Sequence, residues 1–261
     1  MPMGQMNLRF LAALVGTAAL ALLASACVPF GSGAGPSTQA TRLSPCPSTL
    51  SKTKDFVAVY TDSASERAPR IEVQREKALD AFVETAASCS GHLTVVFDPG
   101  LSVTSVLWSG TPYVAEGSPI AFERKSAAYA RTTVLPRVTR ALHKALQAPA
   151  PEVATPDQAF AVLAEVRTGG PLDALVLSSF VEDDATIDLN KPLTAASAEH
   201  LAAGVPVPRL AHAQVSIEGV GTTADPTPAP TDWLGALRTF AGTLCARTKA
   251  RCRVTTEVVG T

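Results

Sequence analysis

The chain has 261 residues and is almost electrically neutral, with 22 lysines and arginines against 23 aspartates and glutamates. This balance provides no basic patch for a nucleic acid and no run of like charge for a membrane surface. Only 5% of the residues are aromatic, so a platform that stacks sugars or bases is not expected. After its N-terminal segments, the chain has the length of one globular domain, which we place at 52–261.

The first segment, 1–26, has the features of a secretory signal peptide. Arg9 precedes an apolar run over 10–23, which is too short to cross a bilayer comfortably as a helix. The run ends in "LASA" before Cys27, and small residues that lead to a cysteine resemble a bacterial lipobox. That resemblance implies a lipidated Cys27 as the mature N-terminus. The alternative is ordinary signal cleavage after Ala26.

Residues 27–51 have the composition of a flexible linker. They are rich in Gly, Pro, Ser and Thr and carry few apolar side chains, so they cannot bury enough surface to form a core. A lipidated cysteine, a linker and a globular domain predict a protein anchored by lipid to the extracytoplasmic face of the cell membrane. The expected partners are the membrane, through this anchor, and a protein of the envelope.

The rest of the chain alternates between apolar runs with strand character and segments with helical periodicity. The predicted strands are 55–62, 92–98, 103–110, 172–180, 210–221 and 252–259, and the predicted helices are 66–89, 118–147, 156–170, 194–204 and 233–250. Pro136 predicts a kink or a break in the second helical region, and Thr155 is a plausible N-cap for the third. The Pro-Gly turn after the second strand predicts an antiparallel hairpin.

Three short motifs and this order of elements resemble the von Willebrand factor A-type domain. "VAVYTDSASE" is similar to the first-strand motif of that family, Asp-x-Ser-x-Ser. "LDALVLSSFVED" is similar to its strand that ends in Ser-Asp-Gly, and "VSIEGVG" to its late strand. The resemblance covers about 54–261. It implies a doubly wound α/β fold, with a mostly parallel six-stranded sheet, one antiparallel hairpin strand and helices on both faces.

The resemblance further implies a divalent-metal site at the edge of the sheet, which holds Mg²⁺ or Mn²⁺ through oxygen ligands. Carried over by position, Asp62 matches the first aspartate of the family, Thr155 its threonine, and Ser179 the position of its late aspartate. Ala64 and Glu66 occupy the positions of its two serines. The ligand set is therefore degenerate.

The hydroxyls of Ser63 and Ser65 are one residue out of the register that the family's metal requires. We expect Asp62, Ser63 and Ser65 to cap the first helix and to satisfy loop amides. No cofactor is then needed. The alternative is a weak Mg²⁺ or Mn²⁺ site in which Glu66 or Asp183 compensates for the missing ligands.

A hydrolase with Ser63 as its nucleophile is a further alternative, because "VAVYTDSAS" loosely resembles the Gly-Asp-Ser block of SGNH-type esterases. That block has a glycine where this chain has Thr61, and none of the four histidines follows an aspartate by three residues as that family requires. No other nucleophile, P-loop or zinc-protease motif occurs. We therefore predict that the protein is not an enzyme.

Four cysteines follow Cys27, and an even number outside the cytoplasm predicts disulfides rather than a metal site. In the topology that the resemblance implies, Cys46 precedes the first strand and Cys89 ends the first helix. Cys245 lies near the end of the last helix, and Cys252 begins the last strand. All four then lie at the edge of the sheet opposite the implied metal site. We therefore predict the pairs Cys46–Cys89 and Cys245–Cys252.

These features together predict a lipid-anchored envelope protein that acts as a non-catalytic protein-binding or scaffolding module. A solute-binding lipoprotein is the second reading, although one domain of this length lacks the two-lobed size usual for that class.

Overall fold

The computed structural model describes residues 54–100, 103–114, 117–149, 157–181, 187–189, 191–225, 227 and 229–259. The predicted signal peptide and linker, Cys27, Cys46, Thr155 and Asp183 lie outside these residues. The strands are β1 (Asp55–Thr61), β2 (His92–Asp98), β3 (Ser105–Gly110), β4 (Leu172–Leu177), β5 (Ala213–Glu218) and β6 (Arg251–Thr255). The helices are α1 (Pro69–Ser88), α2 (Pro119–Tyr129), α3 (Leu135–Leu146), α4 (Gln158–Val166), α5 (Ala195–Gly204) and α6 (Thr231–Arg247).

The six strands form one sheet in the order β3-β2-β1-β4-β5-β6. Every neighbouring pair is parallel except β2 and β3, which are antiparallel as the Pro-Gly turn predicts. The strand order reverses between β1 and β4, because the chain first builds outward to β3 and then returns to the other side of β1. Ligands of doubly wound sheets bind outside the carboxyl ends of the strands at such a point.

Helices cover both faces of the sheet, which confirms the predicted fold class. β1 is apolar at every position from Phe56 to Tyr60, and successive side chains of a strand point to opposite faces. Phe56, Ala58 and Tyr60 pack with α1 and α3 on one face, whereas Val57 and Val59 pack with α4 and α6 on the other. A central strand without polar alternation therefore requires a helical layer on each side.

The helical region around Pro136 contains a π segment, Ala130–Val134, between α2 and α3. Pro136 has no N–H to donate, and its ring crowds the carbonyl four residues earlier, so a regular α-helix cannot continue through it. The wider π turn lies directly before α3 and accommodates this defect. The predicted kink or break is thus a local change of helix type within continuous helical structure.

The strand predicted over 172–180 is shorter than expected and ends at Leu177. The hydroxyl of Ser178 accepts a hydrogen bond from the Phe180 N–H at 3.2 Å, and that of Ser179 accepts one from the Val181 N–H at 3.1 Å. These serine turns compete with the strand ladder, and Phe180 has a φ of 51°. The chain therefore leaves the sheet early.

The amino ends of the strands carry their own polar contacts. Lys54 forms an ion pair with Asp173 of β4. The Asp55 carboxylate accepts hydrogen bonds from the Thr168 N–H at 2.9 Å and from the Thr168 hydroxyl at 2.8 Å. The two contacts fix the beginning of β1 to β4 and to the segment that leads into it.

The predicted disulfide between Cys245 and Cys252 is present. It joins the end of α6 to the start of β6 at the amino edge of the sheet. Cys89 is also disulfide-bonded, and its partner lies outside the described residues. The pair Cys46–Cys89 therefore stays a prediction.

Candidate functional site

The loops that follow β1 and β4 meet at the carboxyl edge of the sheet, where the strand order reverses. Asp62, Ser63 and Glu66 come after β1, and Ser178 and Ser179 come after β4; all five are buried. Buried polar groups need hydrogen-bond partners. The partners of these side chains therefore decide what this edge can do.

Arg67 forms a bidentate ion pair with Asp62. Its Nε donates to Asp62 Oδ1 at 3.0 Å, and its Nη2 donates to Oδ2 at 2.5 Å. Its Nη1 donates to the carbonyl oxygens of Leu146 at 2.9 Å and Ala148 at 2.7 Å, at the end of α3. The hydrogen bonds to Asp62 raise the pKa of Arg67 above its ordinary value. A guanidinium thus holds the carboxylate that the resemblance assigns to a metal.

Arg75 forms a second ion pair, with Glu66, and both side chains are about 1% exposed. Its Nη2 donates to Glu66 Oε1 at 2.5 Å, and its Nη1 donates to the Thr61 carbonyl oxygen at 3.0 Å. The Ser179 N–H also donates to Glu66 Oε1. Burial alone would lower the pKa of Arg75, but Glu66 raises it above its ordinary value. We call Asp62, Glu66, Arg67 and Arg75 the ion-pair cluster.

The expectation that Asp62, Ser63 and Ser65 cap the first helix is wrong. The Ser63 and Ser65 hydroxyls lie 3.0 Å apart and bond to each other, and the Asp62 carboxylate is occupied by Arg67. Ala68 precedes the first residue of α1, and no side chain caps that helix. The guanidinium satisfies the buried carboxylate with two charged hydrogen bonds, which are stronger than bonds to neutral amides.

The described residues of the edge do not fit a divalent cation. Asp62 and Glu66 each already hold a guanidinium, so a metal would have to displace Arg67 or Arg75. Ser179 supplies only a neutral hydroxyl, which already accepts a hydrogen bond. Within the described part of the chain, no group of three or more His, Cys, Asp or Glu residues is arranged to hold a metal. Thr155 and Asp183, two further candidate ligands, lie outside that part.

Among the described residues, no histidine lies beside Ser63 as a general base. All four histidines are described, and none is hydrogen-bonded to Ser63. His92 and His212 lie at the amino ends of β2 and β5, His200 is exposed on α5, and His143 of α3 lies 2.6 Å from Glu76. A serine nucleophile needs a base within hydrogen-bond reach. The geometry therefore gives no support to the hydrolase alternative.

Asp98 is a third buried carboxylate of the same edge, at the end of β2. Its Oδ1 accepts a hydrogen bond from the Gly100 N–H at 3.1 Å. Burial raises the pKa of Asp98 to about 6; the Gly100 hydrogen bond opposes that shift, and the Asp157 carboxylate adds to it. Asp98 therefore differs from Asp62 and Glu66, because the groups that set its pKa include no cation.

Sequence reasoning missed Arg67, Arg75 and Asp98. A usable signal existed for Arg75, because Ile71, Ala78, Leu79 and Phe82 place it in the middle of the apolar face of α1. A charged residue at such a position requires a buried partner. No comparable signal identifies Arg67, whose partner is five residues away along an irregular loop.

Beside the ion-pair cluster, the carboxyl edge opens into a groove of about 590 Å³. Its walls follow β1, β4 and β5 and continue into the first turn of α6. The described residues that line it include Ser65, Val181, Leu193, Thr223, Ala224, Asp225, Thr227, Pro230, Asp232 and Trp233. Most of this lining is apolar, and it contains two aspartates but no Lys, Arg or His among the described residues.

Backbone contacts join the groove to the ion-pair cluster. The Ala224 N–H donates to the Ser65 carbonyl oxygen at 2.7 Å. Gly221, with a φ of 77°, lies so close to α6 that a side chain there would clash with Leu234. Both contacts hold the loop after β5 against its neighbours. The site is therefore a doubly wound carboxyl edge with a closed, ion-paired part and an open, apolar part.

No protein-family model and no curated protein matches the chain. Among solved structures, the conserved hypothetical protein BatB from Bacteroides thetaiotaomicron is similar over 78% of this chain and 90% of that chain, at 10% identity and a TM-score of 0.38. An aerotolerance-related membrane protein from Bacteroides fragilis, with multiple mutations to serines, is similar over 77% and 90%, at 7% identity and a TM-score of 0.35. Likeness at this level carries no inference about function.

Among the described helices, none is both long and apolar enough to cross a bilayer.

Proposed function

We propose that the protein is a non-catalytic protein-binding or scaffolding module of the cell envelope, anchored to the membrane through a lipidated Cys27. One observation carries the proposal: the charged groups of the ion-pair cluster are bonded to one another, whereas the adjacent groove is open and mostly apolar. Catalysis needs a free nucleophile, base or metal. Recognition needs accessible apolar surface with a few polar groups.

The position of the groove supports a tethered binding module. β1 begins with Asp55 at the amino edge, and the groove lies at the carboxyl edge. Any anchor that precedes Lys54 therefore joins the domain at the edge opposite the groove. A partner can occupy the groove without approaching the point of attachment.

Site-specific crosslinking tests the proposal. A photo-crosslinking amino acid replaces Thr227, which is exposed in the groove, or Ser88, which is exposed at the end of α1. In intact cells we expect a discrete crosslinked protein from position 227 and none from position 88. Equal products at both positions, or none at either, would contradict a binding role for this edge.

A solute-binding lipoprotein is the second candidate, because the volume of the groove falls within the range of small-molecule sites. A thermal-shift screen of small metabolites separates the two candidates, since a ligand that binds the folded state raises Tm with its concentration. A saturable increase in Tm without a crosslinked protein would favour the solute.

A further inference from the structure

We infer that the groove binds an extended segment of a partner protein that presents a lysine or arginine among apolar residues. The inference rests on the proposed function, and it adds the chemistry of the partner. It follows from the lining of the groove, from its two aspartates and from the way in which the cluster beside it is neutralised.

The lining favours apolar side chains. Val181 and Leu193 contribute hydrocarbon surface, and Trp233 adds a large ring that is partly buried. The Trp233 indole N–H already donates to the Leu189 carbonyl oxygen at 3.0 Å. The ring therefore offers the groove apolar surface rather than a free donor, and apolar area removed from water there stabilises a complex.

The charge of the groove favours a cation. Asp225 and Asp232 are both exposed, and neither forms an ion pair with a described residue. The Thr227 N–H donates to Asp225 Oδ1 at 2.8 Å and lowers the pKa of that carboxyl group. Asp232 lies in the first turn of α6, at the positive end of the helix dipole. Two negative charges thus border an apolar surface.

Arg70 lies near this border and helps to lower the pKa of Asp225, but it forms no ion pair with either aspartate. Arg70 reaches the loop from α1, and its Nη2 donates to the carbonyl oxygens of Thr223 at 2.6 Å and Asp225 at 3.0 Å. Its hydrogen bonds are therefore to the backbone and not to the carboxylates. A partner with a basic side chain complements the groove, whereas an acidic partner meets two aspartates in a lining whose described residues include no Lys, Arg or His.

The von Willebrand factor A-type resemblance implies a divalent cation at this edge, whose positive charge would favour an acidic partner instead. In this chain Arg67 and Arg75 occupy the carboxylates of the cluster. Among the described residues that line the groove, the charged ones are Asp225 and Asp232. The internal ion pairs and the open aspartates therefore select a basic partner.

Selection from a random dodecapeptide phage library on the purified full-length chain tests the inference. We expect enriched peptides that share a Lys or Arg flanked by apolar residues. The double variant Asp225→Lys/Asp232→Lys should weaken their binding at least tenfold, whereas Glu123→Lys, on the exposed surface of α2, should leave it unchanged. With Trp108→Phe, Trp233 is the sole tryptophan and reports binding by fluorescence.

Milder variants guard against misfolding. Asp225→Asn/Asp232→Asn keeps both side-chain shapes and should weaken binding severalfold, and raised salt should weaken binding to the wild type. Enrichment of acidic peptides would overturn the inference. So would peptide binding that neither charge reversal nor raised salt changes. In either case, a crosslink at position 227 would still support the proposed function. If no peptide is enriched and no crosslink forms at position 227, both the inference and the proposed function are overturned.

Discussion

The ion-pair cluster and the groove lie side by side on one edge of the sheet, yet they use carboxylates in opposite ways. In the cluster, Asp62 and Glu66 are buried and each holds a guanidinium of the same chain. In the groove, Asp225 and Asp232 are exposed and outside any ion pair with described residues. The difference shows that a carboxylate at this edge can be neutralised inside the fold or left open to solvent, depending on whether an arginine is bonded to it.

The largest expected effect comes from opening the buried pair with Arg75→Ala. The variant leaves Glu66 charged and buried, so the free energy of unfolding should fall by about 3–5 kcal/mol in urea denaturation. Lys77→Ala, on the exposed side of the same helix, is the control and should change stability by less than about 0.5 kcal/mol. The double variant Glu66→Leu/Arg75→Met should recover most of the loss, and equal losses in both variants would contradict a paired role.

Arg67→Ala opens the more exposed pair and should cost about 2–3 kcal/mol, since Asp62 loses two charged hydrogen bonds. Arg67→Lys keeps the charge but not the bidentate geometry, and should recover only part of the loss.

The same pair predicts how the wild type responds to metal. Millimolar Mg²⁺ or Mn²⁺ should leave its Tm unchanged, because Arg67 occupies Asp62. A Tm that rises steadily with metal concentration would show that a cation binds the folded state. That result would contradict the conclusion that the arginines of the cluster neutralise its carboxylates.

Asp98, which forms no ion pair with a described residue, should make stability depend on pH. Its pKa in the folded state is about 6, above the ordinary 3.8, so between these values the folded state binds more protons than the unfolded state. The contribution of Asp98 is therefore fully present below about pH 4 and is lost as the pH rises through about 6.

Asp98→Asn should remove this dependence. At pH 7 the variant should be more stable than the wild type by on the order of 2 kcal/mol, with equal stabilities near pH 4. Denaturant melts across this pH range measure the difference. A difference between the two proteins that does not vary with pH would show that Asp98 stays ionised in the folded state.

Asp232→Asn should give the smallest change in stability, within about 0.5–1 kcal/mol, because only its interaction with the α6 dipole is lost. The thermal or urea midpoint of unfolding measures this change. A larger loss of stability would mean that Asp232 supports the fold in the way that Glu66 does. The groove would then lose its distinction from the cluster.

Much of the fold is predictable because its signals are local. The apolar run of β1 requires helices on both faces, and the Pro-Gly turn after Asp98 predicts the antiparallel β3. The early end of β4 is not predictable from its apolar run, since it depends on how the Ser178 and Ser179 hydroxyls bond to backbone amides that follow them.

The candidate site is less predictable than the fold. The position of Asp62 at the carboxyl edge follows from the end of β1, but its partner depends on the path of an irregular loop. Helix capping and ion pairing can both satisfy a buried carboxylate. Only the folded geometry shows that the partner of Asp62 is Arg67 and not a helix amide. The groove is assembled from four separate segments, so no single stretch of sequence indicates it.

The polar contacts at the beginning of β1 have a mechanical consequence. Force applied through the chain before Lys54 and through a partner in the groove would run along the strands. β1 is hydrogen-bonded on both sides, over seven residue pairs with β2 and six with β4, and such bonds share a lengthwise load instead of breaking one at a time. The Asp55–Thr168 contacts and the Lys54–Asp173 pair lie at the end of β1 that such a load would reach first, so we expect the sheet to resist a pull along its strands.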